Sequence, residues 1–239
     1  MKHKLKYLVF ALLAILAAHT LTGGKREGYF YSRSVKLLGG GHQCSGEQVR
    51  GPSGVSYILT AAHCAKLADA QGNIEVIKED GDKISRKIIT EDPSSDLLLL
   101  EGLPGVAGLD IATSLKPHER VRTYTHGHGM DTYRTDGMII QNIRIQAGVS
   151  EITTDQEELA CNNLPKYKVV ELDNTPFGPL KACILDVEET LTTAMIQPGS
   201  SGGMVVNESG ELVGVVSVGD GAYGGLVELK DIKNFLKVF

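Results

Sequence analysis

Gln197-Pro198-Gly199-Ser200-Ser201-Gly202-Gly203, followed by the apolar run Met204-Val205-Val206, is the stretch that decides how this chain reads. Glycines on both sides of a serine pair suit a backbone that turns sharply and presents a hydroxyl at its apex, because glycine adopts φ angles that other residues avoid. The same turn aims the amide N–H groups of Gly199 and Ser201 at one point, the arrangement that stabilises a developing oxyanion. A serine hydroxyl alone is a poor nucleophile. It needs a base, commonly histidine, and a group that orients the base.

Both partners are found upstream. Tyr57-Ile58-Leu59-Thr60-Ala61-Ala62-His63-Cys64 ends an apolar strand with two small residues, a histidine and a cysteine. Small side chains leave room for an imidazole in a cleft, and the cysteine can tie down its backbone. Ser94-Ser95-Asp96-Leu97-Leu98-Leu99-Leu100 then sets one carboxylate directly before a buried strand. An aspartate there is ordinarily a turn residue. It becomes an orienting group when its oxygens reach the histidine ring and fix the tautomer. Asp92 competes for that role, but Pro93 follows it and no apolar strand begins at once. Thr125-His126-Gly127-His128-Gly129, with Asp131 nearby, contains metal-ligand types, yet its glycines mark a turn and no metal is expected. His42 reads as an exposed histidine near the cleft.

Around these motifs the pattern is one of short β-type runs broken by turn residues. In the first half they are Val35–Leu38, Val55–Thr60, Ile74–Ile77, Ile84–Thr90 and Leu97–Glu101. In the second they are Val121–Tyr124, Met138–Ile145, Lys168–Leu172, Thr192–Ile196, Met204–Val206, Leu212–Val218 and Leu226–Leu229. Leu103 to His118, with Pro104, Gly105, Gly108 and Pro117, reads as the connection between halves. Many short strands without long amphipathic helices predict a barrel or sandwich. Only the end is helical in pattern: Ile232, Phe235, Leu236 and Phe239 form one apolar stripe, with Asp231 placed to cap it.

Thr60-Ala61-Ala62-His63-Cys64, Asp96-Leu97 and Gly199-Ser200-Ser201-Gly202-Gly203, in that order, resemble the trypsin/chymotrypsin-type serine proteases. The run from Gln197 to Gly203, with Val206-Asn207-Glu208-Ser209-Gly210-Glu211-Leu212-Val213-Gly214-Val215 after it, is most similar to the bacterial HtrA-type branch, here without a PDZ-like extension. The resemblance implies an all-β fold of two six-stranded antiparallel barrels with a short C-terminal helix and the site in the cleft between them. It implies His63 as base, Asp96 as its orienting group, Ser201 as nucleophile, and the Gly199 and Ser201 amides as oxyanion hole. Polypeptides are the implied substrates, and no cofactor is implied. Met195, Ile196, Val216 and Val218 are the implied walls of the primary pocket. Ser217, Val218 and Gly219 form the implied strand against the substrate backbone. An apolar P1 side chain follows from those walls. One departure stands out: Ser200 replaces the aspartate that, in animal members, receives a freed N-terminal ammonium. A rival reading is a catalytically weak or inactive homologue used as a binding module, whose mark is loss of a triad residue. All three are present. An esterase of the α/β-hydrolase type is disfavoured by its Ser, Asp, His order.

The remaining features bound the setting. With 239 residues, 42% of them hydrophobic, the chain can bury a sizeable core, and its net charge of −5 excludes a basic nucleic-acid footprint. Lys2, His3, Lys4 and Lys6 precede the apolar run Tyr7 to Ala18, roughly 12 residues against about 20 needed to span a bilayer. Residues 1–22 are therefore expected to be a signal peptide or signal anchor, and the protein secreted or periplasmic, its only membrane contact through that segment. The protease-like domain is expected over 29–239, with barrels at about 29–113 and 118–230 and a helix at 231–239. Cys44, Cys64, Cys161 and Cys183 form no Cys-Xaa-Xaa-Cys pair and suit an oxidising compartment. They allow three pairings. Nearest-neighbour pairing gives Cys44–Cys64 and Cys161–Cys183.

Overall fold

Apolar and β-branched runs separated by glycine and proline turns pair into two antiparallel barrels, each burying the alternate side chains of its strands. A computed structural model describes residues 27–162, 167–172, 179–219 and 223–239; the expected leader at 1–22 and Asp220 lie outside the described residues. The first barrel is formed by β1 (Ser34–Gly39), β2 (His42–Arg50), β3 (Ser56–Thr60), β4 (Asn73–Ile77), β5 (Lys83–Asp92) and β6 (Leu97–Glu101). It closes in the order β1-β2-β3-β6-β5-β4, with Leu37 opposite Val76 across the closing pair. The second contains β7 (Arg120–Thr125), β8 (Tyr133–Ile152), β10 (Leu180–Thr192), β11 (Met204–Asn207), β12 (Leu212–Gly219) and β13 (Gly224–Val227). Pairing of Thr190 with Leu226 and Thr192 with Gly224 joins β10 to β13 and closes these six. β9 (Tyr167–Leu172) lies outside the ring, on the far edge of β10.

Three apolar clusters fill the space these strands enclose. Val35, Leu37, Ile58, Ile74, Val76, Leu98 and Leu100 occupy the first barrel. Val121, Val205, Val213, Val216 and Leu226 occupy the second. Between the barrels, Val49, Leu59, Leu97 and Leu99 meet Tyr124, Met204, Leu212 and Val215. The run Leu97 to Leu100 supplies both sides: odd residues face the seam and even residues face the barrel. The C-terminal helix α2 (Leu229–Leu236) lays Ile232 and Leu236 on that seam, with Phe235 and Phe239 against its rim. Its N-cap is Glu228 and not Asp231, which sits in the first turn.

The structure adds elements that the pattern of short runs does not reveal. Helix α1 (Asp155–Asn162) and the long β8–β10 hairpin extend the second barrel and carry the Cys161–Cys183 disulfide. The run expected as a strand at Thr192–Ile196 ends β10 and continues without strand pairing of its own; the Thr193 N–H reaches the Met138 carbonyl instead, at 3.0 Å. β2 was not expected as a strand at all, since Gln43, Ser45, Glu47 and Gln48 break any apolar rhythm. Yet Cys44 to Val49 are all buried. Cys44 and Gly46 turn into the barrel, while Ser45, Glu47 and Val49 face the seam.

Glu47 is fully buried opposite Ser34 and Leu59, and neither carboxylate oxygen has a hydrogen-bond partner. Burial therefore pushes its carboxyl well above the usual range. An acid with a raised folded pKa weakens the fold as pH climbs above its unfolded value near 4.5. Glu47→Met should stabilise the protein at pH 7 by about 1–3 kcal/mol, the cost of one unsatisfied buried polar group. The gain should shrink as pH falls toward and through 4.5, where the acid of the unfolded chain becomes protonated as well. Denaturant titrations of parent and variant at the two pH values measure it.

Candidate active site

The cleft residues are delivered by strand ends. His63 lies in a short 3-10 helix over Ala62–Leu67 that follows β3, and the Cys44–Cys64 disulfide staples that helix to β2. Asp96 sits in the turn before β6 with φ 56°, a left-handed conformation that aspartate tolerates better than most residues. The turn bends its carboxylate back to the helix. The His63 backbone N–H donates to Asp96 Oδ1 at 3.1 Å, and His63 Nδ1 lies 3.1 Å from each carboxylate oxygen. The Ser217 hydroxyl donates to Asp96 Oδ2 at 2.7 Å. Asp96 is 8% exposed, so the three donors replace lost water around a buried carboxylate. With Nδ1–H engaged, the lone pair of the imidazole is on Nε2.

Ser201 comes from the second barrel. The Gly202 N–H donates to the Val216 carbonyl at 2.7 Å, and the Val216 N–H to the Gly203 carbonyl at 2.9 Å, so the nucleophile turn is sewn to β12. Gly202, at φ 81°, lies directly against the first barrel: a Cβ there would collide with Thr60 Oγ1 and the Ser45 carbonyl. The Ser45 N–H donates to the Ser201 carbonyl at 2.8 Å, and the Ser45 hydroxyl to the Gly199 carbonyl at 3.0 Å. None of these bonds uses the N–H of Gly199 or of Ser201. The Ser201 hydroxyl points to the Ser217 carbonyl at 3.5 Å and makes no hydrogen bond to His63. The expected partners are thus assembled as a linked Ser217–Asp96–His63 set, with Ser201 turned aside.

The likeness extends well beyond this local geometry: residues 44–215 match the trypsin-like peptidase domain. The chain belongs to the trypsin-like peptidase family. It is a serine-type peptidase, and its fold is found in solved proteases of that kind. The Rv3671c protease of M. tuberculosis superposes with a TM-score of 0.62 at 18% identity, over 90% of this chain and 92% of that one. A serine endoprotease from Yersinia pestis gives 0.58 at 17% identity, over 90% of this chain and 66% of that one. The HtrA-type protease AlgW, solved with a tripeptide, gives 0.59 at 17% identity, over 87% and 60%. No match was found among curated protein sequences.

The pocket residues of this trypsin-like peptidase divide. Met195 and Val218 are exposed, at 51% and 41%. Ile196 is 2% exposed and lies between Gly219 and Gly224, where a Cβ on either glycine would strike it. Val216 does not line a cleft: its side chain packs into the second barrel, and the irregularity in the β12–β13 pairing between Val216 and Val218 lets Val218 face outward instead. Ser217 contributes a hydroxyl to Asp96 as well as its carbonyl, a role the sequence reading did not give it. Gly224 was also missed. Its signal was the Gly224-Gly225 pair opposite Val218-Gly219, legible only once the strand pairing is known.

The histidines of the β7–β8 connection do not converge. His128 Nε2 pairs with Gln197 Oε1 at 3.0 Å, whereas His126 Nε2 turns to Thr132 Oγ1 at 3.1 Å and Ser34 Oγ at 3.3 Å. Among the described residues the one cluster of ligand types is Cys44, His63 and Cys64, whose sulfurs are spent in a disulfide. Burial, with Lys36 nearby, lowers the His126 pKa to about 4 from 6.5. Below pH 6.5 the unfolded chain takes up a proton that the folded chain refuses, so stability falls through the window from 6.5 to 4 and then levels off. The loss should be on the order of 3 kcal/mol. Denaturation of His126→Gln, compared at pH 7 and pH 4.5, should show that slope removed.

Proposed function

We propose that the chain is an exported serine endopeptidase in which His63, Asp96 and Ser201 form the catalytic triad. The observation that supports this best is the Asp96 carboxylate, which takes the His63 backbone N–H, the His63 ring and the Ser217 hydroxyl together. That arrangement leaves Nε2 unprotonated and fixed in direction. When a peptide enters, Ser201 leaves the Ser217 carbonyl and gives its proton to His63 Nε2 as Oγ attacks the scissile carbonyl. Catalytic hydrogen bonds are often formed fully only in the substrate complex, so a resting Ser201 turned to the Ser217 carbonyl at 3.5 Å is compatible with this step. The tetrahedral oxygen takes the Gly199 and Ser201 amides. His63 then returns the proton to the leaving amine, and water repeats the sequence on the acyl enzyme.

Export accords with the lysine-led apolar run at residues 7–18 and with the two disulfides, which persist in oxidising compartments. No helix among the described residues is long and apolar enough to cross a membrane. The protease domain covers about 29–239, in barrels of about 29–113 and 118–230. Ser201→Ala and His63→Ala should each abolish peptide cleavage, and Ser201→Ala should also lose labelling by an active-site-directed fluorophosphonate. Circular dichroism and turnover assays check both. Labelling of a residue other than Ser201 would refute the assignment.

For specificity, Ile196 forms the floor of the primary pocket. Its methyl groups fill the space between Gly219 and Gly224, which makes that floor apolar. The Glu189 carboxylate approaches Gly225 beside the Val218 wall, whereas Ile196 occupies the space at Gly224. Small to medium apolar P1 residues such as Val, Ala, Leu or Met should be preferred, with steps of about 1–3 kcal/mol per methylene-sized change. Ile196→Ala should shift a peptide-library profile toward larger apolar P1 residues. A parent profile dominated by Arg, Lys or Glu would show the pocket misassigned.

A further inference from the structure

An oxyanion site depends on which way the Pro198–Gly199 peptide faces, since a half-turn exchanges its N–H for its C=O. Gln197-Pro198-Gly199-Ser200 is a tight turn, closed by the Ser200 N–H on the Gln197 carbonyl at 3.0 Å. Proline at its second position and Gly199 with φ 91° at its third make it type II. A type I turn has the same closing bond and the reverse orientation of the central peptide. The closing bond therefore does not choose between them.

The choice is made by the connection from β7 to β8. The His128 N–H donates to the Pro198 carbonyl at 2.8 Å, which holds that oxygen on the loop side and turns the Gly199 N–H away from it. His128 stands at φ 54° and ψ 27°, a left-handed residue whose imidazole also pairs with Gln197 Oε1 at 3.0 Å. The next residue of the turn is held from the same element. Ser200 is fully buried, and its hydroxyl donates to Thr125 Oγ1 at 3.1 Å and meets the Tyr133 hydroxyl at 3.1 Å. Gly127 is the point of contact: a Cβ there would lie 2.7 Å from the Tyr133 hydroxyl, 2.9 Å from Gln197 Cβ and 3.0 Å from Ser200 Oγ. The Gln43 amide holds the base of the loop at the His126 carbonyl. All these ties are neutral, so they need no freed N-terminal ammonium.

We propose that His128, on the β7–β8 connection, and Tyr133, at the start of β8, are positioning residues that hold the Gly199 amide in its oxyanion-binding orientation. The proposal rests on the catalytic reading above. Tyr133→Phe removes one hydroxyl and keeps the ring. His128→Val removes the imidazole and puts a β-branched residue at positive φ, where it is strained. With a chromogenic peptide bearing valine at P1, each should lower kcat about tenfold or more while KM stays within about threefold. The inhibition constant of the matching peptide aldehyde, whose adduct carries an oxygen into the hole, should rise by the same factor. His128→Gly keeps the left-handed turn and the N–H, and should lose less than His128→Val. Thermal midpoints check folding; if Tyr133→Phe does not fold, the exposed His128 decides alone. Folded variants with kcat within about twofold of the parent, or with lowered kcat and unchanged aldehyde affinity, overturn the proposal. A parent that neither cleaves peptides nor labels at Ser201 sinks the catalytic reading, and this inference with it.

Discussion

Two adjacent residues, Cys44 and Ser45, tie the His63 helix and the Ser201 turn of this protein to one strand. The Cys44 sulfur is bonded to Cys64, next to His63, while Ser45 makes its bonds to Gly199, Ser201 and the His126 N–H. Its own carbonyl accepts the Thr60 hydroxyl at 2.6 Å from β3. Proton transfer tolerates only a few tenths of an ångström of error between groups, and here those groups belong to different barrels. A short buried strand that contacts both is a direct way to fix their separation. It also explains why β2 carries a serine at a buried, seam-facing position: Ser45 is used for hydrogen bonds across the joint.

Around that joint the seam is apolar and aromatic. Phe30 stacks on Tyr124 with ring centroids 5.0 Å apart, and Tyr31 meets the same ring edge-on. The Tyr124 hydroxyl donates to Glu27 at 2.9 Å, and Arg134 pairs with the same carboxylate. The helical turn at residues 27–31 thereby straps the second barrel just before β1 enters the first. Tyr124 precedes Thr125 in β7, so the strap and the Ser200 hydroxyl network share a strand. The Ser200 turn and the packing that begins at the first described residues thus share β7.

The motifs of the site were legible because each is a short, local signature: a histidine after a small-residue strand end, an aspartate before a leucine run, a serine between glycines. Barrel architecture was legible from the density of short strands and turns, and the nearest-neighbour disulfides are the ones that form. What escaped was set by long-range pairing. Glu47 and Ser45 look like surface residues until the second barrel covers them. β10 escaped because Asp186, Glu188 and Glu189 interrupt its apolar residues within a strand of 13 residues. Helix α1, only 8 residues long, carries one buried residue, Cys161, so no apolar stripe announces it. The second bond of Ser217 and the grip of His128 on Pro198 join residues far apart in sequence, and backbone N–H groups leave no trace in composition.

The extension formed by β8, α1, β9 and β10 has its own small core of Ile152, Cys161, Cys183 and Val169. That cluster is separate from the three that fill and join the barrels. Its covalent cross-link closes within the extension, across 22 residues of chain, and never reaches the cleft. Energetically this is a self-contained annex. A lineage can lengthen it, recolour its surface or graft a new recognition element onto it without retuning the geometry of proton transfer. The two disulfides therefore serve separate units: Cys44–Cys64 fixes the backbone beside His63, and Cys161–Cys183 holds together the core of the extension.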